Sequence, residues 1–128
     1  MKRLLDTHAF LWAALEPRKL SKTALGAIEP PDTELLLSVA SLWEIGILQS
    51  LGRIELKVSI QAVADLSISQ LGSELVGIEP GHIDRMRGLP FHHRDPFDRL
   101  LIAQALSLNA AVIGKDQHFD AYGVDRIW

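Results

Sequence analysis

Apolar residues along the chain fall into short continuous runs and into longer stretches with helical spacing. The short runs suit buried strands and predict them over residues 2–5, 34–39, 74–78 and 111–113, and a last strand is predicted near 126–127. Between them, apolar positions recur every three or four residues and predict helices over 7–15, 22–28, 41–51, 59–71, 80–86, 96–108 and 117–121. This alternation predicts an α/β fold with a parallel sheet of four to five strands, covered by helices on both faces.

The helix over 96–108 has the clearest start. Asp95 suits the N-cap and Pro96 the first helical position, where no N–H is needed. Asp98 then lies in the first turn, where the helix dipole favours a carboxylate. Asn109 is the predicted C-cap.

Two other boundaries depend on caps and helix breakers. Ser21 suits the cap of the 22–28 helix, which the pair Pro30-Pro31 is predicted to stop. Ser41 and Glu44 have the capping-box spacing, which predicts that the next helix begins at Ser41. That helix is predicted to end at Gly52.

Composition narrows the possible functions. The chain has 128 residues, 48% of them hydrophobic and 23% charged, which is typical of one soluble globular domain spanning 1–128. It has no cysteine, which excludes disulfides and thiolate metal sites and is compatible with a cytoplasmic protein. No apolar run reaches 18 residues, and Asp6 comes too early for a signal peptide. The net charge of −3 means that a polyanionic substrate would need a local basic patch or a metal ion.

Four acids stand at equivalent places in the predicted fold. Asp6 ends the first strand, Glu44 starts the helix after the second, Asp98 opens the 96–108 helix, and Asp116 follows the fourth strand. The carboxyl ends of parallel strands share one edge, so these acids can converge there. Converging carboxylates repel one another unless a cation lies between them, and Mg²⁺ or Mn²⁺ suits an all-oxygen site. Such an ion supports phosphodiester hydrolysis.

Each acid also has a simpler interpretation. Asp6 could cap the first helix, Glu44 could be the capping-box partner of Ser41, Asp98 could be a capping acid, and Asp116 could be a turn residue. Four acids at equivalent ends of one sheet are harder to explain as four caps, so we favour a metal site.

Several motifs together resemble PIN-domain ribonucleases, in particular the VapC-type toxins of bacterial toxin–antitoxin pairs. The motifs are Leu4-Leu5-Asp6-Thr7-His8 with Leu11-Trp12, Ser38-Val39-Ala40-Ser41-Leu42-Trp43-Glu44-Ile45, Leu89-Pro90 with His93-Arg94-Asp95-Pro96-Phe97-Asp98-Arg99 and Ala103-Gln104-Ala105, and Phe119-Asp120-Ala121-Tyr122-Gly123-Val124. The resemblance covers nearly the whole chain.

The resemblance implies a three-layer α/β/α sandwich and a metal-dependent endoribonuclease acting on RNA. It implies that Asp6, Glu44, Asp98 and Asp116 bind Mg²⁺ or Mn²⁺, with Asp95 at most an accessory acid. It also implies a small antitoxin partner and a homodimer. The family commonly has Thr or Ser two residues before the last acid, whereas this chain has Gly114.

Other polar and aromatic residues have two interpretations each. Arg94, Arg99 and Lys115 flank the predicted site and are either phosphate contacts or solvated charges. The pair His92-His93 fits no zinc spacing and is interpreted as loop residues. Trp12 and Trp43 are interpreted as core or interface packing residues, with base stacking as the minor alternative.

The sequence also bears on three other function classes. A catalytically silent PIN-like module that binds RNA or protein remains the alternative, although the presence of all four acids argues against it. A phosphoacceptor signalling domain would need an acid ending the third strand, where the chain reads Gly77-Ile78-Glu79-Pro80. A phosphatase with paired aspartates is excluded, because Asp6-Thr7-His8 lacks the second aspartate.

Overall fold

The computed structural model describes residues 1–29 and 32–128. Within them the chain forms five strands and six α-helices in the predicted alternating order. They are β1 (Lys2–Leu5), α1 (Thr7–Leu15), α2 (Lys22–Ile28), β2 (Glu34–Ser38), α3 (Val39–Ser50), α4 (Ile60–Leu71), β3 (Glu74–Val76), α5 (Pro80–Arg87), α6 (Pro96–Leu108), β4 (Ala111–Ile113) and β5 (Arg126–Ile127). Short 3₁₀ turns cover Pro17–Lys19 and Gln117–Tyr122.

The five strands form one parallel sheet in the order β3-β2-β1-β4-β5. Strand β1 lies at the centre, where Leu4 pairs with Leu36 on one side and Val112 on the other. The chain builds outward from β1 in one direction and then returns to its other side. The strand order therefore reverses at the boundary between β1 and β4, and in open α/β sheets ligands bind outside the carboxyl ends of the strands at such a point.

Apolar side chains form two buried clusters, one on each face of the sheet. Because successive strand residues point to opposite faces, Leu5 joins one cluster with Phe10 and Ile45, while Leu4 joins the other with Ile102. The first cluster lies under α1 to α4 and the second under α6. The predicted three-layer α/β/α sandwich is confirmed.

Most predicted elements are present, and the corrections concern their ends. Strand β2 ends at Ser38, one residue early, and β3 ends at Val76, two residues early. The predicted 80–86 helix extends to Arg87, and the 117–121 segment is a 3₁₀ turn rather than an α-helix. The predicted stop of α2 at Pro30-Pro31 lies outside the described residues.

The predicted capping box at Ser41 is wrong. Helix α3 begins two residues earlier, because the Ser38 hydroxyl accepts a hydrogen bond from the Ala40 N–H and caps the helix first. Ser41 is buried in the first turn, where its hydroxyl accepts a hydrogen bond from Thr7 Oγ1 at 3.0 Å. Its side chain is therefore used to join α3 to α1.

None of the helices that the structure describes has the length and apolar character that a membrane span requires.

The C-cap of α6 provides a test of the helix boundary. Asn109 has φ 52° and ψ 45°, the left-handed conformation predicted for a C-cap. We expect Asn109→Ala to lower the free energy of unfolding by about 1 kcal/mol, because Cβ is disfavoured there. Asn109→Gly should be neutral or slightly stabilising. Urea denaturation of the two variants measures the difference, and an alanine variant as stable as the glycine variant would contradict the assignment.

Candidate active site

The four predicted acids line one small cleft at the carboxyl edge of the sheet. Asp6, Glu44, Asp98 and Asp116 surround a volume of about 140 Å³ together with Thr7, His8, Asp95 and Phe119. The acids come from four separate segments of the chain. They meet because the carboxyl ends of the parallel strands share one edge of the sheet.

Asp6 is held by the backbone on both sides. Its N–H donates to the carbonyl of Ile113 at 3.0 Å, which extends the pairing of β1 with β4 by one residue. Its carboxylate accepts the Ala9 N–H at 2.7 Å and so caps α1. The capping interpretation of Asp6 is therefore correct, and the same carboxylate also lines the cleft.

Gly114 lies directly against the Asp6 carboxylate. A Cβ placed on Gly114 would be 2.9 Å from Asp6 Cγ and closer still to Oδ2, nearer than Cβ atoms approach such groups. In this chain the Asp6 carboxylate thus occupies the space that a Thr or Ser side chain at position 114 would need. The departure from the family pattern has a steric explanation.

Glu44 reaches the cleft from the second turn of α3. Ser41, one turn earlier, accepts the hydrogen bond from Thr7, which immediately follows Asp6. This buried contact fixes α3 against the start of α1, and so it fixes Glu44 relative to Asp6. The Oε1 atom of Glu44 is shielded from solvent, and within residues 1–29 and 32–128 it has no hydrogen-bond partner.

Asp98 and Asp116 are joined by an imidazole that the sequence analysis did not place in the site. His93 Nε2 lies 2.7 Å from Asp98 Oδ2 and 3.8 Å from Asp116 Oδ2. The other oxygen of Asp116, Oδ1, lies 2.6 Å from Nδ1 of His118 and accepts the His118 N–H at 2.9 Å. Asp116 therefore directs one carboxylate oxygen into the site and the other toward the outer surface.

The capping acid of α6 is Asp95, as predicted. Its carboxylate accepts the N–H groups of Phe97 and Asp98 at 2.9 and 3.2 Å. The Asp98 carboxylate faces His93 instead. The simpler interpretation of Asp98 as a capping acid does not describe its contacts.

Burial controls the ionisation of two of the four acids. Desolvation raises the pKa of Asp6 to about 6, although the Ala9 N–H partly opposes it. Desolvation likewise raises the pKa of Asp98 to about 6, against the lowering effect of its hydrogen bond with His93. Burial also favours the neutral form of Asp116, but hydrogen bonds from His118 outweigh it and leave the pKa of Asp116 below its usual value.

The donor set fits a divalent cation. Among the residues that the structure describes, no Lys or Arg forms an ion pair with these four acids; their basic partners are His93 and His118. Several carboxylates without a lysine or arginine counter-ion among the described residues, together with the unpartnered Glu44 oxygen, suit a cation that takes oxygen ligands.

The loop that carries His93 is fixed by a buried arginine. Arg99 donates hydrogen bonds at 2.9 to 3.3 Å to the carbonyl of Met86 in the last turn of α5 and to three loop carbonyls, those of Leu89, Pro90 and His93. Its side chain is only 3% exposed. Both interpretations of Arg99 made from the sequence, a phosphate contact and a solvated charge, are therefore wrong.

The structure agrees with some of the remaining sequence interpretations and corrects others. Arg94 and Lys115 are exposed beside the site. His92 is an exposed loop residue whose ring packs against Tyr122, but His93 was missed as a site residue. His93 lies five residues before Asp98, and the end of a loop and the start of α6 separate the two. Neither a helical nor a strand period relates these positions, so sequence spacing gave no signal for the contact. Trp43 is 62% exposed and packs edge-on against Phe97, so it belongs to the surface.

A family comparison agrees with this geometry. The model of the PIN domain matches residues 3–125. The chain belongs to the PIN-domain family. The resemblance inferred from the sequence motifs is confirmed.

This PIN domain is also similar to individual characterised proteins. It is 32% identical over 122 residues to Ribonuclease VapC22 of Mycobacterium tuberculosis (strain ATCC 25618 / H37Rv), which spans 93% of this chain and 90% of the relative. Two solved structures share the fold. VapBC2 from Rickettsia felis, bound to a DNA fragment from its promoter, has a TM-score of 0.70 at 15% identity and covers 98% and 97% of the two chains. VapC20 from Mycobacterium tuberculosis, a sarcin-ricin loop cleaving toxin, has a TM-score of 0.64 at 18% identity and covers 95% of each.

Removing one charge from the cleft should stabilise the metal-free PIN domain. The pKa of Asp6 is about 6 in the folded state against an ordinary 3.8, so ionisation of Asp6 lowers the free energy of unfolding. This loss is complete above pH 6 and disappears as the pH falls toward 3.8. Asparagine keeps the cap of α1, so Asp6→Asn should raise the free energy of unfolding in EDTA at pH 7.5 by about 1–3 kcal/mol.

Urea denaturation from pH 5 to pH 7.5 measures this effect. The wild type should lose stability as the pH rises through 6, and the variant should lack the share contributed by Asp6. Asp125→Asn, which removes an exposed carboxylate, controls for the change in net charge. An Asp6→Asn variant less stable than this control at pH 7.5 would contradict the prediction.

Proposed function

We propose that this PIN domain is a divalent-metal-dependent endoribonuclease and the toxin of a toxin–antitoxin pair. The observation that carries the proposal is the convergence of four carboxylates in one cleft, where no lysine or arginine of the described residues pairs with them. The similarity to Ribonuclease VapC22 over 93% of the chain supports RNA as the substrate.

In this proposal Asp6, Glu44, Asp98 and Asp116 hold one or more Mg²⁺ or Mn²⁺ ions. Such an ion supplies polarisation of a phosphoryl oxygen and acidification of water, the two requirements of phosphodiester hydrolysis. The protein's contribution is to fix the ligands in advance. The Asp6 carboxylate is anchored by Ala9, and Asp116 by His118, so little reorganisation is needed when the ion and RNA bind.

The surface beside the cleft suits an RNA backbone. A shallow depression of about 550 Å³ adjoins Asp116 and is lined by Lys115, His92 and His118 among others. Lys115 and the exposed Arg94 provide the local positive charge that the overall balance of −3 lacks. We assign them to phosphate contacts, which position the strand without reading its sequence.

An antitoxin would occupy apolar surface on the early helices. Leu11, Trp12 and Leu15 line a groove of about 590 Å³ together with Arg53 and Ile54. An amphipathic segment of the antitoxin suits a groove with an apolar floor and charged rim. The fold shared with VapBC2 supports an antitoxin partner, and the choice of this groove rests on its lining residues.

A second apolar surface lies on α3. Leu42, Trp43 and Ile47 line it with Val39 and Ile60, apart from the groove that Leu11, Trp12 and Leu15 line. We assign this second surface to the proposed homodimer.

The alternative is a PIN-like module that binds RNA or protein without cleaving it. It predicts that RNA binds and that metal stabilises the fold, but that the RNA stays intact. Cleavage assays distinguish the two functions.

RNA cleavage should require a divalent metal. We expect the purified protein to cut RNA with Mg²⁺ or Mn²⁺ and to lose all activity in EDTA. Replacing Asp6, Glu44 or Asp98 singly with alanine should reduce the rate by at least about 100-fold, because each removes a ligand. The measurement is gel analysis of folded and unfolded RNAs.

Asp65→Ala, which removes an exposed acid from α4, is the matched control and should cut normally. If EDTA leaves cleavage unchanged and Asp6→Ala is equally active, the metal-dependent mechanism fails.

Antitoxin binding should depend on the groove floor. Leu15 is 52% exposed in the groove, whereas Ile83, 48% exposed on α5, lies outside it. We expect Leu15→Arg to weaken co-purification with the product of a neighbouring short reading frame by at least about tenfold, or roughly 1.4 kcal/mol. Growth inhibition should then persist despite co-expression.

Ile83→Arg introduces the same charge at a matched exposure and should leave the complex intact. Equal loss of binding in both variants would remove the groove from the interface. A wild type that expresses harmlessly in active form without a partner would argue against the toxin assignment.

A further inference from the structure

His93 is placed among the proposed metal ligands. Its Nε2 atom, one oxygen of Asp98 and one oxygen of Asp116 all lie within 4.8 Å of one another. We propose that His93 is a nitrogen ligand of the metal held by Asp98 and Asp116, and that it makes this site prefer Mn²⁺ to Mg²⁺. This inference rests on the proposed metal-dependent function and goes beyond it by naming the ligand that selects the ion.

The geometry suits a shared ion. Two neighbouring ligands of an octahedral ion lie roughly 3 Å apart and two opposite ligands slightly more than 4 Å, given bonds of about 2.1 Å. The His93 nitrogen is 2.7 Å from Asp98 Oδ2 and 3.8 Å from Asp116 Oδ2. Small shifts of the side chains would open these separations to ligand spacing.

The backbone holds His93 in this position. Its N–H donates to the Tyr122 hydroxyl at 2.8 Å, and its carbonyl accepts from Arg99 at 3.3 Å. Both partners also bind the carbonyl of Pro90 earlier in the loop. The loop is therefore fixed at two points, and the imidazole is presented to the acids before any ion binds, as a ligand site requires.

The second histidine at the site is differently placed. His118 approaches the outer oxygen of Asp116 and is 67% exposed. The inner oxygen of Asp116 faces His93. His118 thus orients Asp116 from outside, in the way that outer hydrogen bonds orient metal-binding carboxylates, while His93 shares the inner space with the acids.

A nitrogen ligand changes which ion is preferred. Mg²⁺ favours oxygen ligands and loses its water reluctantly, whereas a nitrogen ligand adds affinity for first-row transition ions, least for Mn²⁺ and increasingly from Fe²⁺ to Cu²⁺. Carboxylates suit both Mg²⁺ and Mn²⁺. Among the ligands proposed here, His93 is accordingly the one that distinguishes the two ions, and replacing its nitrogen with an oxygen should remove the distinction.

Pulsed electron paramagnetic resonance of Mn²⁺ tests the contact directly. The full chain is loaded with Mn²⁺ alone, without RNA, and the spectrum is examined for ¹⁴N coupling from a directly bound imidazole. We expect this coupling in the wild type and in His92→Gln, the matched control one residue away. It should be absent from His93→Gln, which offers an amide oxygen at similar length.

Calorimetric titration of the same proteins tests selectivity. In His93→Gln the Mn²⁺ affinity should fall by about tenfold or more, while the Mg²⁺ affinity changes by less than about threefold. Circular dichroism melting of the variants checks that they fold. The paramagnetic resonance spectrum of the wild type tests the ¹⁴N contact even if a variant does not fold.

The outcomes separate this inference from the proposed function. Mn²⁺ bound without ¹⁴N coupling, in a protein that still cuts RNA, overturns the ligand role and leaves the ribonuclease assignment intact. Coupling that persists in His93→Gln also overturns it. If His93→Gln binds Mn²⁺ and Mg²⁺ more tightly than the wild type, by the same factor for both ions, His93 competes with the metal for the carboxylates and is not a ligand. A wild type that binds neither ion overturns the proposed function together with this inference.

Discussion

The burial of carboxylates constrains the carboxyl edge of this sheet. Asp6 must lie between β1 and β4 because its N–H continues their pairing, and there it is desolvated enough to raise its pKa. Desolvation raises the pKa of Asp98 as well. Folding thus brings ionisable groups to a place where ionisation is unfavourable. The surrounding packing, with two apolar clusters on opposite faces of β1, has to supply the free energy that overcomes this opposition.

The sequence contained enough to predict the architecture and the four acids. The β and α periods differ clearly, and a parallel sheet leaves few places where acids following strands can go. Element ends were less accurate because caps compete locally: Ser38 and Ser41 both have the right chemistry, and the tertiary contact to Thr7 decides between them. Sequence spacing cannot show that contact, since Thr7 lies 34 residues away.

His93 and Arg99 could not be placed from sequence for a related reason. Arg99 is followed by buried residues of α6 and looks like any charge near a helix start. Its actual role depends on a loop whose carbonyls point inward and would otherwise lack donors. The positive charge is acceptable when buried because four carbonyl dipoles surround it and Phe91 covers one side, 4.2 Å away. His93 lies at the end of that loop and meets Asp98 at 2.7 Å.

The contact between Gly114 and Asp6 ties two distant positions of the chain to one another. As long as Asp6 keeps its present side-chain direction, position 114 has no room for any side chain. A protein that acquired a hydroxyl residue there would have to rotate the aspartate first or accept a displaced ligand. A PIN domain with Thr or Ser at the position of Gly114 should therefore hold the aspartate that matches Asp6 in another rotamer, so that the two positions are linked through side-chain orientation and not through residue type.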